Sequence, residues 1–155
     1  MKKTFKVIIY TALVILALCL VPYLYFLINV EEEEITEGSM LNISIGEDKV
    51  EVFRKISIEM SEENVIGFAH EKKENFLASK PNAKLINDPR VKEEEGYMYI
   101  RINKMIFSEY ELKDLSYFDN WVFSWGENFS KSISFEFEDG KLSRIRRVAF
   151  LFWDK

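Results

Sequence analysis

Residues 7–28, VIIYTALVILALCLVPYLYFLI, run for 22 positions without a charged side chain. At about 1.5 Å of rise per residue, a helix of that length reaches ~33 Å, against a hydrocarbon core of ~30 Å. A helix apolar on every face is one that lipid, rather than water, surrounds. The run therefore reads as a signal-anchor transmembrane helix embedded in the lipid bilayer through residues 7–28. It is too long for the apolar core of a cleaved leader. Leu16-Ala17-Leu18-Cys19 resembles a lipidation signal only in part, because Leu18 is larger than the small residue such a signal places before its cysteine. Lys2, Lys3 and Lys6 precede the run with no acid among them. Positive flanks stay cytoplasmic, so the expectation is a single-pass inner (cytoplasmic) membrane protein with its N-terminus cytoplasmic and its C-terminal domain periplasmic. The chain divides into a stub and anchor over 1–30, an acidic linker over 31–39 and an extracytoplasmic domain over 40–155.

Charge constrains the partner. The chain carries a net charge of -5, and residues 31–155 hold 18 Lys and Arg against all 26 Asp and Glu, a net of -8. That sign disfavours nucleic acid and favours a basic protein. Cys19 is the single cysteine, so neither an intrachain disulfide nor a cysteine-based metal site can form.

Beyond the anchor, Glu31 to Ser39 reads as a charged, extended tether. Met40 to Ile45 alternates as a half-buried strand. Glu47 to Met60 places Val50, Phe53, Ile56 and Met60 at helical spacing. His70 to Ser79 reads as a polar helix contacting through Phe76 and Leu77, and Pro81 to Glu95 as a loop. Tyr97 to Ile102 and Lys104 to Phe107 are β-rich, and Glu109 to Leu115 is a turn of helix. Trp121 to Trp125 and Ser132 to Glu138 are strands, and Asp139-Gly140 is a hairpin turn leading into Leu142 to Trp153. The fold class is α+β: an N-terminal transmembrane helix, then a small domain with two helices packed on an antiparallel β-sheet.

Two pieces of this pattern resemble the SmpA/OmlA family of small outer-membrane assembly lipoproteins. Ile45-Gly46, followed by a helix carrying Val50 and Val52-Phe53, is similar to that family's strand-Gly-helix opening. Phe135-Glu-Phe137-Glu-Asp-Gly140-Lys-Leu142, preceded by Trp121, is similar to its closing hairpin. The family's lipidation signal is absent, Ile56-Ser57 stands where its first helix usually ends in Gly-x-Pro, and residues 60 to 95 form a long insertion. The resemblance implies a two-helix, antiparallel-sheet module of a shape used for binding proteins, and it transfers no site residue.

No catalytic constellation is visible. Nucleophilic catalysis needs a nucleophile, a base and an orienting group; Cys19 lies in the apolar run and His70 is the single imidazole. Zinc and calcium ligand patterns are missing, as are phosphate-cradling glycine motifs. The chain reads as no enzyme and as needing no cofactor. Two surfaces are candidates for binding a protein partner. The first is aromatic, with Trp121 and Trp125 on one face of a strand, a face that serves as core or as a binding hot spot. The second is basic, with Arg144, Arg146 and Arg147 on the last strand; Arg144 and Arg146 share a face and either clamp a carboxylate or pair across to Glu136 and Glu138. The expected function is a membrane-tethered periplasmic protein-binding module, an immunity-type inhibitor of a basic toxin or lytic enzyme. The rival is an envelope-assembly factor binding another envelope protein.

Overall fold

A computed structural model describes residues 14–21, 30–61 and 63–150. The domain is a small mixed α/β unit built on a seven-stranded antiparallel sheet. In chain order its elements are β1 (Val30–Ile35), β2 (Ser39–Met40), β3 (Ile43–Ser44), α1 (Lys49–Glu59), β4 (Ile66–Lys72), α2 (Lys73–Ala78), α3 (Ala83–Ile86), β5 (Val91–Glu94), β6 (Tyr97–Ile102), α4 (Glu109–Leu115), β7 (Asn120–Trp125), β8 (Lys131–Glu138) and β9 (Lys141–Phe150). The strand order across the main sheet is β1-β9-β8-β7-β4-β6-β5, and β2 and β3 make a separate two-residue hairpin.

The expected fold class is corrected in two respects. Among the described residues no helix is long and apolar enough to cross a membrane. The described helical segment within the apolar run covers only residues 14–21, about 12 Å at helical rise; the rest of the expected 7–28 span lies outside the described residues. The single-pass anchor, and the inner-membrane location drawn from it, are therefore not supported. The second correction concerns the helices, which number four short ones among the labelled elements, rather than two.

Local differences have local causes. The acidic stretch read as a tether holds β1, the edge strand beside β9, with Glu31 opposite Ala149 and Ile35 opposite Ile145. Arg144 and Arg146 pair with Glu34 and Glu32 of this strand. The stretch Met40 to Ile45 is a tight hairpin because Leu41 and Asn42 both take positive φ, 53° and 61°. His70 to Lys72 continue strand β4, so the helix begins only at Lys73. Inside the expected 81–95 loop, Asn82 caps α3 by accepting from the Leu85 amide, and β5 pairs with β6. Lys104 to Phe107 form no strand.

One core joins sheet and helices. Helix α1 starts at Asp48, whose carboxylate accepts from the Glu51 amide at 2.9 Å, relieving one of the orphan donors at a helix start. It buries Val52, Phe53 and Ile56, while Val50 is exposed, so the inward stripe is rotated from the one that the spacing predicts. Helix α4 opens with a capping box between Ser108 and Glu111; Glu111 also accepts from the Ile106 amide at 3.1 Å. Phe76 of α2, Leu85 of α3 and Leu115 of α4 enter the same cluster as Trp121, Phe123, Ile133 and Phe135 of the sheet. Between β8 and β9, Asp139 and Gly140 have φ of 51° and 75°, the positive pair that a two-residue hairpin turn requires.

Candidate functional site

Residues paired directly across an antiparallel sheet share a face, so the register divides the sheet cleanly. The inner face carries Gly67, Ala69 and Glu71 of β4, Met98, Ile100 and Ile102 of β6, and Trp121 and Phe123 of β7. The outer face carries Ile66, Phe68 and His70 of β4, Tyr97, Tyr99 and Arg101 of β6, and Val122 and Ser124 of β7. Strand β4 inverts the usual pattern by turning its small residues inward and its large ones outward. The reason lies beneath it. Gly67 and Ala69 sit across from the fully buried Phe123 and Trp121, and a Cβ on Gly67 would collide with Met105.

The consequence is an aromatic cluster on the outer face. Phe68 lies 5.6 Å from His70 and 5.7 Å from Tyr99 between ring centroids, and His70 lies 6.3 Å from Tyr97. These are ordinary distances for attractive ring pairs. Phe68, His70 and Tyr99 are half-buried and Tyr97 is exposed. Two concavities meet here. One, of about 590 Å³, is lined by Phe68, Tyr99, Lys92, Arg101, Ser124 and Phe129 among others; the other, of about 500 Å³, by Phe68, His70, Tyr97, Tyr99, Glu94 and Glu95. Burial pushes the His70 imidazole below its ordinary pKa, against the upward pull of Glu71 and Glu136. Its Nδ1 is buried and makes no hydrogen bond among the described residues. Desolvation thus favours the neutral imidazole, and the ring packs as part of the stack.

The other half of the outer face is polar and internally satisfied. Arg144 approaches Glu136 at 3.5 Å and Glu34 at 3.7 Å, and Arg146 reaches Glu32 at 2.8 Å. Ser132, Ser134 and Glu136 complete it on β8.

The candidates from sequence are thus dispersed. Trp121 is fully buried; its Nε1 donates to the Leu115 and Phe118 carbonyls, each at 2.9 Å. Trp125 is on the same inner face, partly buried against the core. Arg144 and Arg146 are held by acids, and β8 and β7 separate them from the aromatic strands. Arg147 falls on the opposite face, opposite Glu33. Sequence reasoning missed Phe68, Tyr99 and Arg101. The signal was there in Tyr97-Met-Tyr-Ile-Arg-Ile102, whose alternation sets aromatic and basic residues against aliphatic ones.

Buried acids elsewhere have structural work. Glu71 accepts from the Lys72 amide and, across the fold, from the Asp119 amide at 3.1 Å. Arg90 bridges Asp88 at 2.6 Å and Asp114 at 2.9 Å. Among the described residues no group of three His, Cys, Asp or Glu converges to hold a metal. What the outer face can do chemically is stack, exclude water and pair with charge.

In comparison with known proteins, the chain matches no family model, no curated protein and no solved structure. The likeness to the SmpA/OmlA family rests on its two sequence pieces alone.

Proposed function

We propose that this chain is a protein-binding module that seats its partner on the open aromatic face of the sheet. The observation that carries this reading is the contiguous cluster of Phe68, His70, Tyr97 and Tyr99, left partly exposed while the four short helices feed the core on the other face. Aromatic side chains dominate binding hot spots because they bury large areas at little conformational cost. A hydrogen-bonded sheet holds them in place before the partner arrives, which lowers the entropy lost on association. The partner class that the net charge of -5 favours is a basic protein, such as a toxin or lytic enzyme held by an immunity-type inhibitor.

The test is site-specific photocrosslinking in the producing cell. A photoreactive residue replacing Tyr97 is expected to give one discrete protein adduct, and the same residue replacing Ile58, exposed on α1, is expected to give none. An adduct from position 58 alone, or from neither position, contradicts the reading.

A further inference from the structure

The larger concavity of the outer face has an electrostatic character opposite to that of the whole chain. The protein has 26 acidic residues against 21 basic ones, yet no carboxylate lines this groove, while Arg90, Lys92 and Arg101 do. Arg90 is committed to Asp88 and Asp114. Lys92 and Arg101 make no side-chain ion pair or hydrogen bond among the described residues. That sets Arg101 apart from Arg54, Arg144 and Arg146, each of which approaches an acid within 4 Å. The two free cations flank an aromatic floor. Lys92 is paired in register with Tyr99, and Arg101 with Phe68.

The rim adds a third observation. In the connection between β7 and β8, Gly126, Asn128 and Phe129 all take positive φ, at 82°, 52° and 57°. A bulky residue adopts that conformation only against steric resistance. Phe129 nevertheless holds it while 42% exposed as a residue lining the groove. Strain retained at an exposed ring points to a use for the ring.

We propose that this groove is a carboxylate subsite, taking an Asp or Glu side chain of an extended segment of the protein partner, with the apolar residue beside it packed between Tyr99 and Phe129. This rests on the protein-binding reading and names the chemistry that the face selects. Arg101 supplies the planar two-donor geometry that a carboxylate matches, and Lys92 a second positive charge. Net negative charge steers a basic partner at long range, while two local cations choose the acid that seats. The same net charge repels a polyanion, which favours a single carboxylate over a phosphate backbone.

The experiment selects a random dodecapeptide phage library on the immobilised full-length protein and measures the affinity of the winning peptides by fluorescence anisotropy. The expected winners carry Asp or Glu next to an aromatic or aliphatic residue. Their affinity is expected to fall about tenfold or more with Arg101→Gln plus Lys92→Gln, and equally when the peptide acid is changed to its amide. Lys113→Gln, on the exposed side of α4, is expected to leave it unchanged, and Phe129→Gly to weaken it. Winners without an acid, acidic winners indifferent to the double substitution, or no winners at all would overturn the subsite. The Tyr97 photoadduct keeps the two claims apart. If it still forms in the doubly substituted protein while the peptides show no need of an acid, the subsite fails and the docking face stands. If it never forms, the docking face fails as well.

Discussion

Gly67 has no room for a side chain because Met105 fills it: a Cβ there would stand 2.5 Å from the Met105 sulfur and 3.2 Å from its Cγ. This contact holds β4 against the chain entering α4, an approach also fixed by the Met105 amide donating to the Val65 carbonyl at 2.9 Å. It is also why β4 turns Ile66 and Phe68 outward. Gly67→Ala is expected to destabilise the fold by about 1–3 kcal/mol through overpacking. Met105→Ala on that background should recover part of the loss, giving a favourable coupling in a double-mutant cycle by urea unfolding. Strictly additive losses would show that the two sites do not share the space.

Trp121 acts in stability. Its indole N–H reaches the Leu115 carbonyl at the end of α4, which also accepts from the Phe118 amide, and the Phe118 carbonyl in the following turn. Trp121→Phe replaces the indole with a smaller aromatic ring and removes the donor. A loss of about 2–4 kcal/mol in chemical denaturation is expected, from reduced packing and a buried acceptor left unpaired. A variant with unchanged stability and lost partner binding would return Trp121 to the binding surface.

The half-buried His70 makes stability depend on pH in a stated direction. Its folded pKa lies below its ordinary value because burial disfavours the imidazolium. The unfolded chain therefore binds the proton first as pH falls. Stability is full above about pH 6.5 and declines as pH drops below it, levelling off under the folded value. Urea midpoints at pH 7.5 and 5.5 should show the decline in the parent protein and a smaller one in His70→Phe. An equal decline in both would assign the effect to carboxylates.

Arg90 compensates two acids at once. Burial raises the Asp114 pKa while Arg90 opposes the rise, and Arg90 holds Asp88 below its ordinary value. Arg90→Met leaves both carboxylates without their partner and should cost about 1–3 kcal/mol at pH 7. Lowering the pH toward 4 protonates Asp114 and removes its burial penalty from the variant, whereas the Asp88 pairing in the parent is lost only below the ordinary carboxylate pKa. The gap between the two proteins should therefore narrow toward pH 4, as read by thermal or urea unfolding at both pH values. A gap that widens on acidification would contradict this.

The parts of the fold legible in the sequence were those with local, period-two signals. Ile133, Phe135 and Phe137 alternate with polar residues and end at Asp139-Gly140, so β8 and its turn read directly, as does Trp121 to Trp125. Strand β4 was hidden because its inward residues are Gly67 and Ala69, whose smallness answers to Trp121 and Met105 in other parts of the chain. The acidic run Glu31 to Glu34 looks unfit for a strand until Arg144 and Arg146, more than a hundred residues later, are placed beside it. The candidate site suffered most from this. Phe68, Tyr99 and Arg101 come from two strands whose adjacency is a tertiary fact, while Trp121, Arg144 and Arg146, which stand out by residue type, lie in the core and in ion pairs with Glu32, Glu34 and Glu136.

Protein binding at the open aromatic face is the proposal on which the other readings depend. Its most direct measurement is the affinity of the partner captured at Tyr97 for two surface variants of the full chain. Phe68→Ala with Tyr99→Ala is expected to weaken binding about thirtyfold or more, while Arg144→Ala with Arg146→Ala changes it little. Unchanged affinity in the first and loss of binding in the second would place the interface on the polar half of the sheet and contradict the account.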